Sequence, residues 1–196
     1  MKKRKPKDRY HHGDLRAALV ECGLELIHRK GIQALTLREI GNRLGVSRSA
    51  PYRHFKDKDA LLAAISEAGF IKFANTVEAA RIEAGEGFAR QVDAMALAYT
   101  RFADEHRAQF EVMFAAVLKP GRGEDVGAGR SFKILEDAIR EAQRNGEVRQ
   151  GDPELLGRVV WALVHGASML RLGGANAEVP FIRFSTEILR SGLSKQ

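Results

Sequence analysis

Eight residues, Leu37–Leu44, sit between their own start and stop signals. Thr36 and Glu39 have the spacing of a capping box, in which each side chain satisfies a free backbone N–H of the first turn. Gly45 stands where a helix exits through a left-handed residue. Between them Leu37, Ile40 and Leu44 form one apolar face. A helix this short is too weak to stand alone in water. It must pack on its neighbours, so the segment constrains what lies on both sides of it.

Upstream, Leu15, Leu19, Cys22, Leu26 and Ile27 recur at three- and four-residue steps, which predicts a helix from Asp14 to Lys30. Asp14 is its expected cap and Gly31 its expected end. Downstream, Ser47 can cap a third helix running to about Arg53. Pro51 would be its fourth residue, where the missing N–H removes only the first intrahelical bond and the fixed φ stiffens the segment. Asp57 should cap a longer helix through Leu61, Leu62 and Ile65 towards Phe73. Three helices and a longer fourth, with Gly45-Val46-Ser47 turning between the second and third, spell a helix-turn-helix.

The chemistry of the third element is cationic and aromatic. Its N-terminal residues would face base edges in a DNA major groove. Arg48 is the best candidate reader, because a guanidinium can bond guanine O6 and N7 together. Ser49 and Ala50 are small enough for close approach, and Ala50 could meet a thymine methyl. Tyr52, His54 and Lys58 would grip phosphates and set register without reading sequence. Lys58 follows a helix cap, where the macrodipole disfavours a cation unless a phosphate is near. Any one of these residues alone reads equally well as a solvated surface group, and it is their spacing behind a capping box and a glycine turn that points to DNA. Charge agrees. Residues 1–60 hold 15 Lys and Arg against 7 Asp and Glu, and residues 61–196 hold 17 against 18, so the whole formal excess of +7 lies at one end. Such asymmetry marks a polyanion-binding end.

The stretch "ALTLREIGNRLGVSRSAPYRHFKDKDALL", Ala34–Leu62, resembles the DNA-binding signature of TetR/AcrR-type transcriptional regulators, and "HHGDLRAALVECGLELI" extends the likeness over the N-terminal domain. Thr36, Ile40, Gly45-Val46-Ser47, Tyr52, Phe55, Lys58 and Leu61 fall where that pattern wants them. Gly41 departs from it, since alanine is commoner there, at a cost in helix propensity of up to ~1 kcal/mol. The resemblance implies DNA contacts at Thr36, Arg38, Arg48, Ser49, Ala50, Tyr52, His54 and Lys58. It also implies a homodimer on a pseudo-palindromic operator, acting as a repressor released by a small ligand. "WALVHG", Trp161–Gly166, resembles the Trp…His-Gly motif of one C-terminal subgroup, in which the last two long helices make a four-helix bundle with their dimer mates.

The rest of the chain reads as helix at roughly 88–105, 106–117, 130–145, 153–172 and 179–192, with a glycine-rich loop at 119–129. The expected architecture is all-α: residues 1–62 a basic arm and three-helix DNA-binding domain, residues 63–196 a larger helical domain for ligand binding and dimerisation. A recognition helix of about seven residues is only ~10 Å long, so useful specificity needs two copies on half-sites about a turn or more apart. Leu156, Val160, Leu163, Val164, Ala167, Phe181, Phe184 and Ile188 are the expected dimer face, with Gly157, Ala162, Gly166 and Ser168 allowing close helix crossing. Met95, Tyr99, Phe102, Met113, Phe114, Trp161, His165 and Met169 are the candidate ligand pocket, and their few charges favour an apolar or weakly polar effector. Methionines and aromatics at this spacing also fit a plain core.

One cysteine, Cys22, allows no internal disulfide and no cysteine-rich zinc site. No unbroken run of about 18 apolar residues occurs, and the basic N-terminus lacks the apolar segment of a secretory signal. The expectation is a cytoplasmic protein with no membrane partner and no cofactor. Neither Gly-x-Ser-x-Gly nor a phosphate-binding Gly-x-x-x-x-Gly-Lys-Ser/Thr loop is present. "HHGD" (His11–Asp14) reads as a helix entry rather than a metal site. A lone Glu25-x-x-His28 lacks the second motif and further glutamates of a di-iron bundle. The remaining alternatives are a DNA-binding adaptor without a ligand and, remotely, a helical metal-dependent oxidase.

Overall fold

The computed structural model describes residues 14–117, 126–175 and 179–193. The basic arm, most of the glycine-rich loop and the short 176–178 link fall outside them. Among the described residues there are eight α-helices and no strand: α1 Leu15–Lys30, α2 Leu37–Leu44, α3 Lys58–Glu83, α4 Phe88–Glu105, α5 Arg107–Val117, α6 Val126–Arg144, α7 Pro153–Leu172 and α8 Val179–Leu193. The chain divides into two compact units, Met1–Ala64 and Ile65–Gln196, with the division inside α3.

In the first unit every helix end has an identifiable cause. Asp14 accepts a hydrogen bond from the Ala17 N–H at 2.9 Å and starts α1. Gly31, at φ 78°, ends it. Thr36 accepts from the Glu39 N–H at 3.1 Å and starts α2, and Gly45 ends it in the left-handed region at φ 67°. Asp57 accepts from the Ala60 N–H at 2.8 Å and starts α3. The capping box is only half made: the Glu39 carboxylate instead accepts from Arg43 Nε at 2.9 Å, one turn on along the exposed side of α2. Leu19, Leu26, Leu35, Ile40 and Leu61 are fully buried and close the small core.

The third helix differs from its expected form. Residues 48–50 form a turn and Pro51–Arg53 a single 3₁₀ turn, rather than an α-helix capped by Ser47. The Ser47 carbonyl accepts from the Ala50 N–H at 3.1 Å, while its hydroxyl faces that of Ser49 at 3.4 Å. Pro51 explains the tightening. Its ring is buried against α2, where a Cβ added at Gly41 would lie 2.9 Å from Pro51 Cγ. The departure at Gly41 and the proline therefore belong together: the glycine makes room for the ring.

In the second unit α7 packs against α4, α6 and α8. Phe70, Phe102, Phe110, Met113, Ile139 and Ile182 are almost wholly enclosed. The free N–H of Phe88 at the start of α4 donates to Glu147 Oε2 at 2.7 Å, tying the turn after α6 to α4. By length and mean hydropathy α3 and α7 could each cross a membrane, although neither is an unbroken apolar run. Both carry residues of the core, and α7 has apolar residues on both its buried and its exposed side of the circumference.

That circumference overturns half of the expected dimer face. Val160, Val164 and Ala167 are buried in the unit's own core, and Leu156 packs against it. Of the expected α7 residues Leu163 alone is exposed, and it shares its outward stripe with Leu155, Val159 and Leu170, with Met169 beside it; Phe181, Phe184 and Ile188 of α8 are also exposed. Periodicity finds two apolar stripes on such a helix and cannot say which one the fold consumes. The small residues divide the same way. Gly157 lies against Ile139 of α6, whereas Gly166 has open space where a side chain would be and Ala162 is exposed.

Candidate nucleic-acid interface and ligand cavity

The expected DNA-contacting residues lie at the start of α2 and along the turn that follows it. Arg48, Ser49, Tyr52 and His54 are exposed, and Ala50 is half-buried. Thr36 and Arg38 are exposed at the start of α2. Thr36 spends its oxygen as an acceptor in the cap, so its hydroxyl hydrogen remains to donate. Behind this surface, the Arg16 guanidinium lies 5.4 Å from the Phe55 ring centroid, and Phe55 is buried. Phe55 and Pro51 are thus buried on either side of Tyr52, Arg53 and His54, which face out, while Arg48 and Ser49 are exposed just before Pro51.

Lys58 has a partner within the first unit. Its ammonium donates to the Ile32 carbonyl at 2.7 Å, across the short link after α1. That carbonyl offsets the unfavourable start-of-helix position, so no phosphate is required to explain a cation there. Nothing in the sequence pairs residues 32 and 58. The contact needs the three helices assembled.

The second unit encloses a partly open cavity of about 100 Å³, with walls from α3, α4, α6 and α7 and from Phe114 of α5. Of the eight candidate pocket residues, Met95, Tyr99, Phe114 and Trp161 line it. Phe102 and Met113 are core residues away from its wall, because both are packed shut on every side. Met169 is exposed on α7. His165 stands just behind the wall, with Nδ1 2.8 Å from the Tyr99 hydroxyl and its ring stacked on Trp161 at 5.1 Å between centroids. Burial holds the His165 imidazole below its ordinary pKa. Burial likewise pushes the Tyr99 phenol well up, opposed in smaller part by the Trp161 side chain. Both groups are therefore neutral near pH 7, and each satisfies the other. Sequence reasoning did not place Phe70, Phe73 or Phe132 on the wall. They sit on other helices, and no local spacing links them to Trp161.

With the geometry in view, comparison with known proteins decides the family. Residues 19–65 match the model of bacterial regulatory proteins of the tetR family. Residues 92–187 match the tetracyclin repressor-like C-terminal domain. The chain belongs to the TetR family. Its members are regulators of transcription, and the first unit of this TetR-family chain is the helix-turn-helix domain of that family. The matched segment contains Thr36, Arg38, Arg48, Ser49, Ala50, Tyr52, His54 and Lys58. The tetracycline repressor of class C from Escherichia coli is 47% identical over 53 residues, 27% of this chain and 24% of that protein. The chain thus spans about a quarter of the length of the tetracycline repressors it matches. The HTH-type transcriptional regulator Mb1846 of Mycobacterium bovis is 28% identical over 70% of this chain and 61% of its own length. A solved Rhodococcus sp. RHA1 protein of unknown function is 31% identical, with a TM-score of 0.87 over 96% of this chain and 100% of the other.

Among the described residues no three His, Cys, Asp or Glu side chains gather as a metal site. Asp14 of the "HHGD" stretch is the α1 cap. His11 and His12 lie outside the described residues.

Proposed function

We propose that this TetR-family regulator is a homodimeric repressor that holds a pseudo-palindromic operator and is released from it by a small molecule bound in the cavity of the second unit. The observation that carries the DNA reading is the exposed set Arg48, Ser49, Tyr52 and His54 on a turn anchored by buried Pro51 and Phe55. In this reading Arg48 reads a guanine, and Ser49 and Ala50 allow close approach. Thr36, Arg38, Tyr52 and His54 hold phosphates, with Lys58 contributing a remaining N–H. The basic arm adds phosphate or minor-groove contacts. The protein works in the cytoplasm, without a membrane partner.

Dimerisation follows from the apolar stripes. Leu155, Val159, Leu163 and Leu170 of α7 and Phe181, Phe184 and Ile188 of α8 leave an apolar surface that monomers rarely expose. A second copy covers it with the same residues. The Trp161…His165-Gly166 motif fits this plan, with Trp161 and His165 facing the cavity side and Gly166 the open face. Release is a population shift: a ligand that prefers a conformation with mis-spaced recognition turns lowers operator affinity by its differential affinity and no more.

Selection from a randomised duplex library near 150 mM salt tests the reading. An enriched palindrome is expected. Binding that is salt-sensitive and without sequence preference would defeat it.

A further inference from the structure

The wall of the cavity has an unusual chemistry. Six of its residues are aromatic, namely Phe70, Phe73, Tyr99, Phe114, Phe132 and Trp161. They come from five helices, and several meet edge to face: Phe70 and Phe114 at 5.5 Å and 74°, Phe73 and Tyr99 at 4.9 Å and 85°. Among the described residues no Asp, Glu, Lys or Arg lines the cavity. The Tyr99 hydroxyl is already engaged with His165.

Each of these facts narrows the occupant. An anion would lose its hydration with no cation or cluster of donors to replace it. A cation would find aromatic faces but no carboxylate, and the nearby imidazole is itself held neutral. A sugar or phosphate ester would leave most of its hydrogen-bonding groups unpaired, since Ser131 is the one other hydroxyl on the wall among the described residues. An aromatic ring gains edge and face contacts beyond the area it buries, which a saturated ring of equal size does not. Size sets the last limit, since an apolar cavity of ~150 Å³ stays dry and accepts benzene. A space of about 100 Å³ with a partly open side fits one ring and not a fused polycycle.

We propose that the cavity takes an uncharged, single-ring aromatic molecule, held by ring edges and faces rather than by charge pairing. This rests on the reading of the cavity as the effector site, and it goes further by naming the ligand class.

Trp161 is the chain's single tryptophan and lies on the cavity wall, so its emission reports occupancy. Full-length protein is titrated with toluene, cyclohexane, benzoate and benzyltrimethylammonium. Toluene is expected to give a saturable change, with cyclohexane about two- to tenfold weaker. Benzoate and benzyltrimethylammonium should bind more than about tenfold more weakly than toluene. Ala96→Leu, which fills the buried wall, and Leu135→Phe, at a half-buried wall position that tolerates change better, should each abolish the toluene response while operator binding persists. Benzoate or the ammonium binding best, or cyclohexane matching toluene, overturns the ligand class. No saturable change with any probe, or a response untouched by both variants, overturns the cavity as the binding site. Toluene that binds as expected but leaves operator affinity unchanged supports the ligand class and defeats effector release, so the two readings fail separately.

Discussion

The two units use helices in opposite ways. In the first, α2 is eight residues long, the recognition turn is shorter still, and Asp14, Gly31, Thr36, Gly45 and Asp57 punctuate every boundary. In the second, α4, α6 and α7 run 18, 19 and 20 residues, and what matters is which side of each faces in. Short, capped elements leave few ways to assemble, which suits a surface that must match a fixed nucleic-acid shape. Long helices with apolar residues on more than one side leave several. The second unit spends that freedom on a cavity at one face of α7 and an uncovered stripe at another.

The sharpest test of this contrast compares neighbours on α7. Val160→Glu puts an unpaired charge into the core and should cost about 3–5 kcal/mol, unfolding the second unit. Val159→Glu, one residue away on the exposed stripe, should keep the helical signal and instead give a monomer by light scattering, with operator affinity lost. If both variants behaved alike, the assignment of the two faces would be wrong.

In the first unit, Arg48→Ala should cost ~1–3 kcal/mol of operator binding and relax preference at one base position, without changing thermal unfolding. Gly41→Ala probes the scaffold beneath it. Alanine offers up to ~1 kcal/mol of helix propensity, against an overpacking cost of typically ~1–3 kcal/mol from a Cβ 2.9 Å from the Pro51 ring. Net destabilisation is expected in denaturant unfolding, relieved in the Gly41→Ala, Pro51→Ala double variant. A Gly41→Ala protein more stable than the parent would show that the proline yields.

The smallest expected effect is a pH dependence confined to the second unit. Burial lowers the pKa of His165 and, with Lys72 adding to it, that of His106. A histidine whose folded pKa lies below its unfolded value binds more protons when unfolded, so stability rises with pH. The contribution is fully present above the unfolded value of about 6.5 and is lost as pH falls below it towards the folded values. Melting temperature should therefore fall below about pH 6.5. His165→Phe should flatten the slope, and a slope unchanged by that variant would remove His165 from the account.

Much of the first unit was legible because its signals are local. A cap acts on an N–H three residues away, and a glycine acts at its own φ, so Asp14, Thr36, Gly45 and Asp57 could be read in order. The same locality explains what could not be read there. The hydrogen bond from Lys58 to the Ile32 carbonyl has no local signal, because the two residues are 26 apart in sequence. The spacing predicts a regular helix after Ser47, because the ring of Pro51 meets Gly41 only after α2 and the turn pack. In the second unit, the pattern of α4 and α7 was right to the residue, and the choice of face on α7 was not.

Sequence alone thus determined the all-helical class, the basic end and the capped boundaries of α1, α2 and the start of α3, since backbone satisfaction and charge act over a turn or less or simply add along the chain. Tertiary structure alone decided which stripe of α7 the core consumes, which aromatics share a cavity and what Lys58 touches. Burial is a competition among all apolar surfaces at once, and a helix with two apolar stripes enters that competition with no local preference.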